Sequence, residues 1–238
     1  MATYTLVPGA DGRAWYWHRL VPELRARGHR VITLDLPTES DAGIDVMAEA
    51  ICGAVLDGGV RPGSARASEP LVLVAQSLAG FATPVACERL PVPVAELVLL
   101  NAMVPAPGET AGQWWENTGQ PQARSAYAAA QGRGEDPEFD LREDFFHDVP
   151  PEVTQEALTA GGSAPPAALF EQPWPLLRWP DVPTRFLQGR DDRFFPLEFQ
   201  RGVVRERLGL EVEEIPGGHL AALSRPRELA DHLVRATG

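Results

Sequence analysis

An α/β fold, doubly wound around a six-stranded, mostly parallel sheet flanked by helices, is the expectation from three observations. Six short apolar runs rich in β-formers recur along the chain. Each is followed by a helix-length segment in which apolar residues fall at helical spacing. Between Pro105 and Pro180 the alternation breaks: Pro and Gly are frequent, helical stretches are short, and large aromatics cluster. That break reads as a helical insertion folded over one end of the sheet.

The strands are expected at residues 3–7, 31–35, 71–75, 95–101, 184–188 and 210–215. Helical periodicity is carried by Leu20, Leu24 and His29 before the second run, and by Leu229, His232 and Leu233 near the end. Right-handed crossovers between such units wind helices onto both faces of the sheet. Residues 57–70, rich in Gly, Ser and Arg, read as an exposed connector into the third strand. The chain then divides into a core (1–105), a small helical cap or lid inserted after the fourth strand (106–179), and the rest of the core (180–238). Within the cap, 106–112 and 132–137 read as loops, and Val149-Pro150-Pro151-Glu152 reads as a helix start with Pro in its first turn. Trp114, Trp115, Phe145, Phe146, Phe170, Trp174 and Trp179 supply its aromatics. Some are expected to form the cap's own small core, the others to cover an apolar substrate.

With 238 residues, 44% hydrophobic and 23% charged, the chain is long enough for one domain with a buried core. Its 33 acidic residues against 21 basic ones leave a formal charge of −12, which repels phosphate backbones and anionic bilayers and argues against nucleic-acid and membrane partners. All the basic residues are Arg, so no Schiff base or lysine relay is available. Cys52 and Cys87 form no metal-ligand spacing or disulfide framework and are expected as small buried residues; no metal and no cofactor are expected. No targeting segment and no apolar run of membrane-spanning length occurs, so a soluble, cytoplasmic protein, monomeric or homodimeric, is the expectation.

The chemistry concentrates at three strand ends. Leu71-Val72-Leu73-Val74-Ala75-Gln76-Ser77-Leu78-Ala79-Gly80 is an apolar strand running into a Ser bracketed by small residues, the pattern of a nucleophile elbow. Ala75 and Ala79 stand where Gly is usual, and the bland alternative is a Ser capping the next helix. Downstream, Gln188-Gly189-Arg190-Asp191-Asp192-Arg193-Phe194-Phe195-Pro196 offers two acids after a strand, and Ile215-Pro216-Gly217-Gly218-His219 delivers a His from a glycine-rich loop. The order Ser, Asp, His, each just after an expected strand, sets all three at one sheet edge.

In these features the chain resembles the α/β-hydrolase superfamily, and within it the small serine esterases related to plant methylesterases and hydroxynitrile lyases. Leu6-Val7-Pro8-Gly9-Ala10-Asp11-Gly12-Arg13-Ala14-Trp15-Tyr16-Trp17 is similar to that family's oxyanion loop, with Pro8 where His is common, and Asp35-Leu36-Pro37 also matches. The resemblance implies strand order 2-1-3-4-5-6, with the site at the reversal between the first and third strands. It implies Asp192 rather than Asp191 as the acid, because the family's acid precedes a Pro by four residues. It also implies an oxyanion hole from the backbone N–H groups of Ala10 and Leu78, each donor worth about 3 kcal/mol in comparable sites.

The function expected is hydrolysis of a small, fairly apolar carboxylic ester, a lactone or thioester included, through an acyl-enzyme on Ser77, His219 and Asp192. Ser77 argues against the dehalogenases and epoxide hydrolases of the superfamily, whose nucleophile is Asp. Gly9 and Leu220 stand where the related hydroxynitrile lyases carry Thr and Lys, which argues against cyanohydrin cleavage. The alternatives are a carbon–carbon bond hydrolase or lyase on the same triad, and a ligand-binding protein on the hydrolase scaffold. Elsewhere the bland readings stand: His18, His29 and His232 in helical patterns, His147 solvated on the cap, Asp191 and Asp35 stabilising their own turns, Trp15 and Trp17 packed beneath the oxyanion loop.

Overall fold

The computed structural model describes residues 1–135, 137–162 and 164–235. Asp136, inside the expected loop 132–137, Ser163, inside the expected cap, and 236–238, at the end of the second core segment, lie outside the described residues. Six parallel strands form one sheet in the order β2-β1-β3-β4-β5-β6: β1 (Thr3–Val7), β2 (Arg30–Thr33), β3 (Leu71–Gln76), β4 (Glu96–Leu100), β5 (Thr184–Gly189) and β6 (Val212–Ile215). The order expected from the resemblance is the order found.

Alternation along the buried strands sorts their side chains onto two faces. Leu73, Ala75, Leu97, Leu99 and Phe186 point into one core, which α2 (Ile44–Asp57), α3 (Thr83–Arg89) and α9 (Leu197–Leu208) cover. Tyr4, Leu6, Val72, Val74, Val98, Leu100 and Leu187 point into the other, covered by α1 (Leu20–Ala26), α10 (Ala221–Ser224) and α11 (Pro226–Val234). Both faces being buried is why β3 reads as an unbroken apolar run.

The strand ends differ from expectation by small amounts with local causes. β2 stops at Thr33, short of Asp35, because Leu36 N–H turns back to Gly12 O at 2.7 Å and Asp35 Oδ1 accepts the Ala14 amide at 2.7 Å. Asp35 thus braces the loop after β1, not only its own turn. β4 ends at Leu100 because Asn101 takes φ 45°, a left-handed conformation that breaks the pleat. Cys52 and Cys87 are half-buried on α2 and α3, not fully buried as expected, and burial pushes the Cys87 thiol up to about 12.

Between β4 and β5 lie α4 (Ala111–Thr118), α5 (Gln120–Ala130), α6 (Leu141–Asp144), α7 (Pro151–Ala160) and α8 (Ala167–Glu171). The helix α4 starts inside the expected loop, set by a capping box in which Thr110 and Gln113 exchange side-chain to backbone bonds. Trp114 and Trp174 do not build a separate cap core. They are fully buried in the α2–α3 core, their indole N–H groups donated to Val104 O at 3.1 Å and Phe81 O at 3.0 Å, which removes the cost of burying the polar nitrogen. Among the described residues no helix is long and apolar enough to cross a membrane.

Candidate active site

Gln76 leaves β3 in extended conformation and Ser77 turns sharply at φ 53°, a strained value for a residue with a side chain. The turn over Ser77–Gly80 is pinned by Met103 N–H donating to Ser77 O at 2.9 Å. The close approach falls at Gly80, where a Cβ would stand 1.9 Å from Met103 O, while Ala75 and Ala79 fit within the core. That is how the elbow forms with Ala at the two positions usually held by Gly.

Register brings the other two residues to the same edge: Ala75 pairs with Leu99, Leu100 with Leu187, and Gly189 with Ile215. Gly189 has no room for a side chain, since a Cβ there would lie 2.5 Å from Gly217 O and 2.7 Å from Gly218 O. Beyond it, Asp192 is fully buried with both oxygens engaged. Oδ1 accepts the Phe194 and Phe195 amides at 2.8 and 2.9 Å, and Oδ2 accepts Gln188 Nε2 at 3.1 Å. The same Oδ2 lies 2.8 Å from His219 Nδ1, and His219 Nε2 lies 3.1 Å from Ser77 Oγ. Asp191 instead points outward to Arg190 at 3.5 Å, its side chain half exposed.

Two positioning groups escaped the sequence reading. Asn101, wholly buried, donates from Nδ2 to Gly218 O (3.1 Å) and His219 O (2.9 Å) and accepts Gly189 N–H on Oδ1 (2.7 Å), tying the ends of β4 and β5 to the His loop. An Asn directly after an apolar strand is a signal for a left-handed turn, but in sequence it reads only as the last residue of that strand. Gln188 reads in sequence only as a strand residue, and its bond to Asp192 gives no one-dimensional signal.

The loop after β1 lies against the elbow. A Cβ on Gly9 would fall 2.1 Å from Gln76 Oε1 and 3.0 Å from Ser77 Cβ, so any side chain there would displace Gln76 and crowd Ser77. Ala10 follows, its amide taken by no acceptor among the described residues. Ala10 lines the main cavity, and Leu78 lines a narrow cleft beside it, of about 20 Å³, shared with Gly9 and Ala10.

The main cavity has a volume of about 500 Å³, and Gln76, Ser77 and His219 are among the residues that line it. Trp15, Tyr16, Leu220 and Leu223 line it from the core side; Phe145, Phe146, Leu158 and Pro165 line it from the insertion. Phe145 stacks on the His219 imidazole at 4.6 Å and 18°. Trp15 therefore departs from expectation. Its indole N–H reaches Glu156 on α7 at 3.1 Å, a bond that bridges loop and insertion, whereas Trp17 is fully buried as expected.

His147 is likewise not the solvated surface residue expected. It is half-buried against the His219 loop, where a Cβ on Gly218 would lie 2.6 Å from His147 Nε2, and burial holds its imidazole below the ordinary range. Its neighbour Asp148 accepts Gly218 N–H at 2.9 Å. His29 and His232 are also held by contacts, the first accepting Ala2 N–H on Nδ1 and the second 2.6 Å from Glu213. Among the described residues no group of three or more His, Cys, Asp or Glu could hold a metal ion.

The model of the alpha/beta hydrolase family matches residues 6–232. A probable esterase, PIR7A, of Oryza sativa subsp. indica is 30% identical over 98% of this chain and 95% of its own. A pyrethroid hydrolase of Sphingobium wenxiniae is 30% identical over 95% of this chain and 84% of its own. Among solved structures, polyneuridine aldehyde esterase superposes with a TM-score of 0.77 at 21% identity, covering all of both chains.

Proposed function

The chain belongs to the alpha/beta hydrolase family and is an esterase, and on that premise we propose that it cleaves a small, fairly apolar carboxylic ester through an acyl-enzyme on Ser77. A serine hydroxyl is a poor nucleophile near pH 7 without a base. His219 Nε2, 3.1 Å from Ser77 Oγ, takes the proton as Oγ attacks the carbonyl carbon. Asp192 fixes the tautomer that leaves Nε2 free to accept, and its buried charge stabilises the imidazolium that forms. The amides of Ala10 and Leu78 receive the oxyanion. The same imidazolium protonates the departing alkoxide, and water activated by His219 then releases the acid.

The observation that carries this reading is the unbroken chain from Ser77 Oγ through His219 to Asp192 at a cavity walled mainly by apolar side chains. The volume of about 500 Å³ suits a small-molecule ester, and the aromatic and aliphatic walls suit an apolar one. Nitrophenol release from short-chain nitrophenyl esters, run beside Ser77→Ala with a folding check on both, is the test. Turnover that vanishes with Ser77 is expected. A folded wild type inactive across acyl lengths contradicts the reading and favours a lyase or a binding protein.

A further inference from the structure

Tyr16 is a buried phenol in the wall of the same cavity. Its hydroxyl meets the amide of Ala222, at the start of α10, at 3.5 Å, with the amide as donor. Leu220 and Leu223, on either side of Ala222 in the chain, line the cavity together with Tyr16. At 3.5 Å that bond is weak, and the phenolic proton has no acceptor among the described residues. Burial, with Asp11, Asp192 and Asp148 nearby, pushes the phenol far above its ordinary range, so the hydroxyl stays protonated.

The other side-chain donors lining the cavity are engaged or partly exposed, and the free amide of Ala10 is reserved for the oxyanion. Trp15 gives its indole N–H to Glu156, Gln76 Nε2 points to His219 O, and Ser77 and His219 face each other. Arg13 pairs with Asp11 and keeps part of its side chain in solvent. Tyr16 is thus a buried donor in the wall of a mainly apolar cavity, its proton without an acceptor among the described residues, and such a group is costly unless a ligand supplies the partner.

We propose that Tyr16 is a substrate-binding residue, and that the preferred esters carry a second oxygen acceptor (a ketone, ether or further ester oxygen) beyond the scissile group to take its phenolic proton. The inference rests on the esterase reading above and narrows it from apolar esters to esters with one such acceptor in an otherwise apolar frame. Discrimination of this kind is strong, because a substrate lacking the oxygen leaves the buried hydroxyl unpaired.

The test uses pairs of 1-naphthyl and alkyl esters that differ only by replacement of one methylene with an ether oxygen or carbonyl, at successive positions on the acyl and alcohol sides. kcat/KM is measured for the wild type and Tyr16→Phe, with thermal melting to establish that both fold. In at least one pair the wild type is expected to favour the oxygenated member, and Tyr16→Phe to lower kcat/KM for that member about tenfold while leaving its hydrocarbon twin unchanged. An unchanged ratio in every pair overturns the proposal, as does an equal fall for both members, which would assign Tyr16 to the scissile carbonyl or to packing. A wild type that turns over no ester removes the esterase reading itself, and this inference with it.

Discussion

His219 is held from two sides that are built differently. Beneath it, strand ends present polar groups that are almost completely matched. Asp192 engages both oxygens, and Asn101 spends its donor and acceptor on three backbone groups. Above it, the insertion offers packing: Phe145 stacks on the imidazole, and His147 Nε2 and Asp148 Oδ1 are buried with no partner among the described residues. A floor of nearly matched hydrogen bonds fixes geometry, and a roof of mainly apolar contacts, with a hydrogen bond from Gly218 N–H to Asp148, shapes what enters. The floor should therefore govern kcat and the roof KM.

The sharpest way to break that division is at the acid. Asp192→Asn is expected to lower kcat about 10⁴-fold, because the amide favours the wrong imidazole tautomer, whereas Asp191→Asn leaves kcat unchanged. Steady-state kinetics on the two variants decides it, and the reverse ranking would mean that the buried carboxylate is not the orienting group. Asn101→Asp comes next. The carboxylate keeps the left-handed turn and still accepts Gly189 N–H, but it cannot donate to Gly218 O and His219 O. A stability loss of about 2 kcal/mol in urea titration is expected, with a fall in kcat at unchanged KM.

On the roof, Phe145→Leu is expected to raise KM about fivefold with kcat little changed, since it removes cavity wall and leaves the triad's hydrogen bonds intact. A large kcat effect would show that stacking, and not only the floor, orients His219. The smallest effect concerns pH. Burial keeps His147 neutral in the fold despite Asp148 and Asp192 nearby, with Arg193 opposing protonation as well. The unfolded chain therefore takes up that proton first. The corresponding stability is complete above the ordinary value of 6.5 and declines as pH falls below it. His29, also held down by burial, titrates in the same window. His147→Gln should flatten part of the decline, measured as urea midpoints across that range.

The same contrast explains what could be read from one dimension. The floor rests on strands whose hydrophobic runs are continuous because both faces are covered, and on glycines where backbones nearly touch. That Ser77, Asp192 and His219 meet at one sheet edge is legible for that reason, as is the 2-1-3-4-5-6 order through the resemblance to the family. Even there the position that has to be small is Gly80, through its contact with Met103 O, which no sequence pattern marks. Asn101 stays hidden because its partners lie at the end of β5 and in the His219 loop, and Gln188 because its bonds to Asp192 and Phe195 depend on how the loop after β5 folds back. In the insertion, Trp114, Trp174 and Phe145 have the same composition signal yet different fates: two enter the main core and one meets His219. Only tertiary packing separates them. Trp15 and Tyr16 likewise lie in a short turn, where helical periodicity cannot assign a face.

The central claim is that Ser77 forms a covalent bond to the substrate's acyl centre under the control of His219 and Asp192. Its most direct measurement is intact-protein and peptide mass spectrometry after reaction with a nitrophenyl dialkyl phosphate, which mimics acylation and departs slowly. One phosphoryl group per chain, located on Ser77, absent from Ser77→Ala and slowed by orders of magnitude in Asp192→Asn, is the predicted result. An adduct on another residue, or ester turnover that persists in Ser77→Ala, would contradict it.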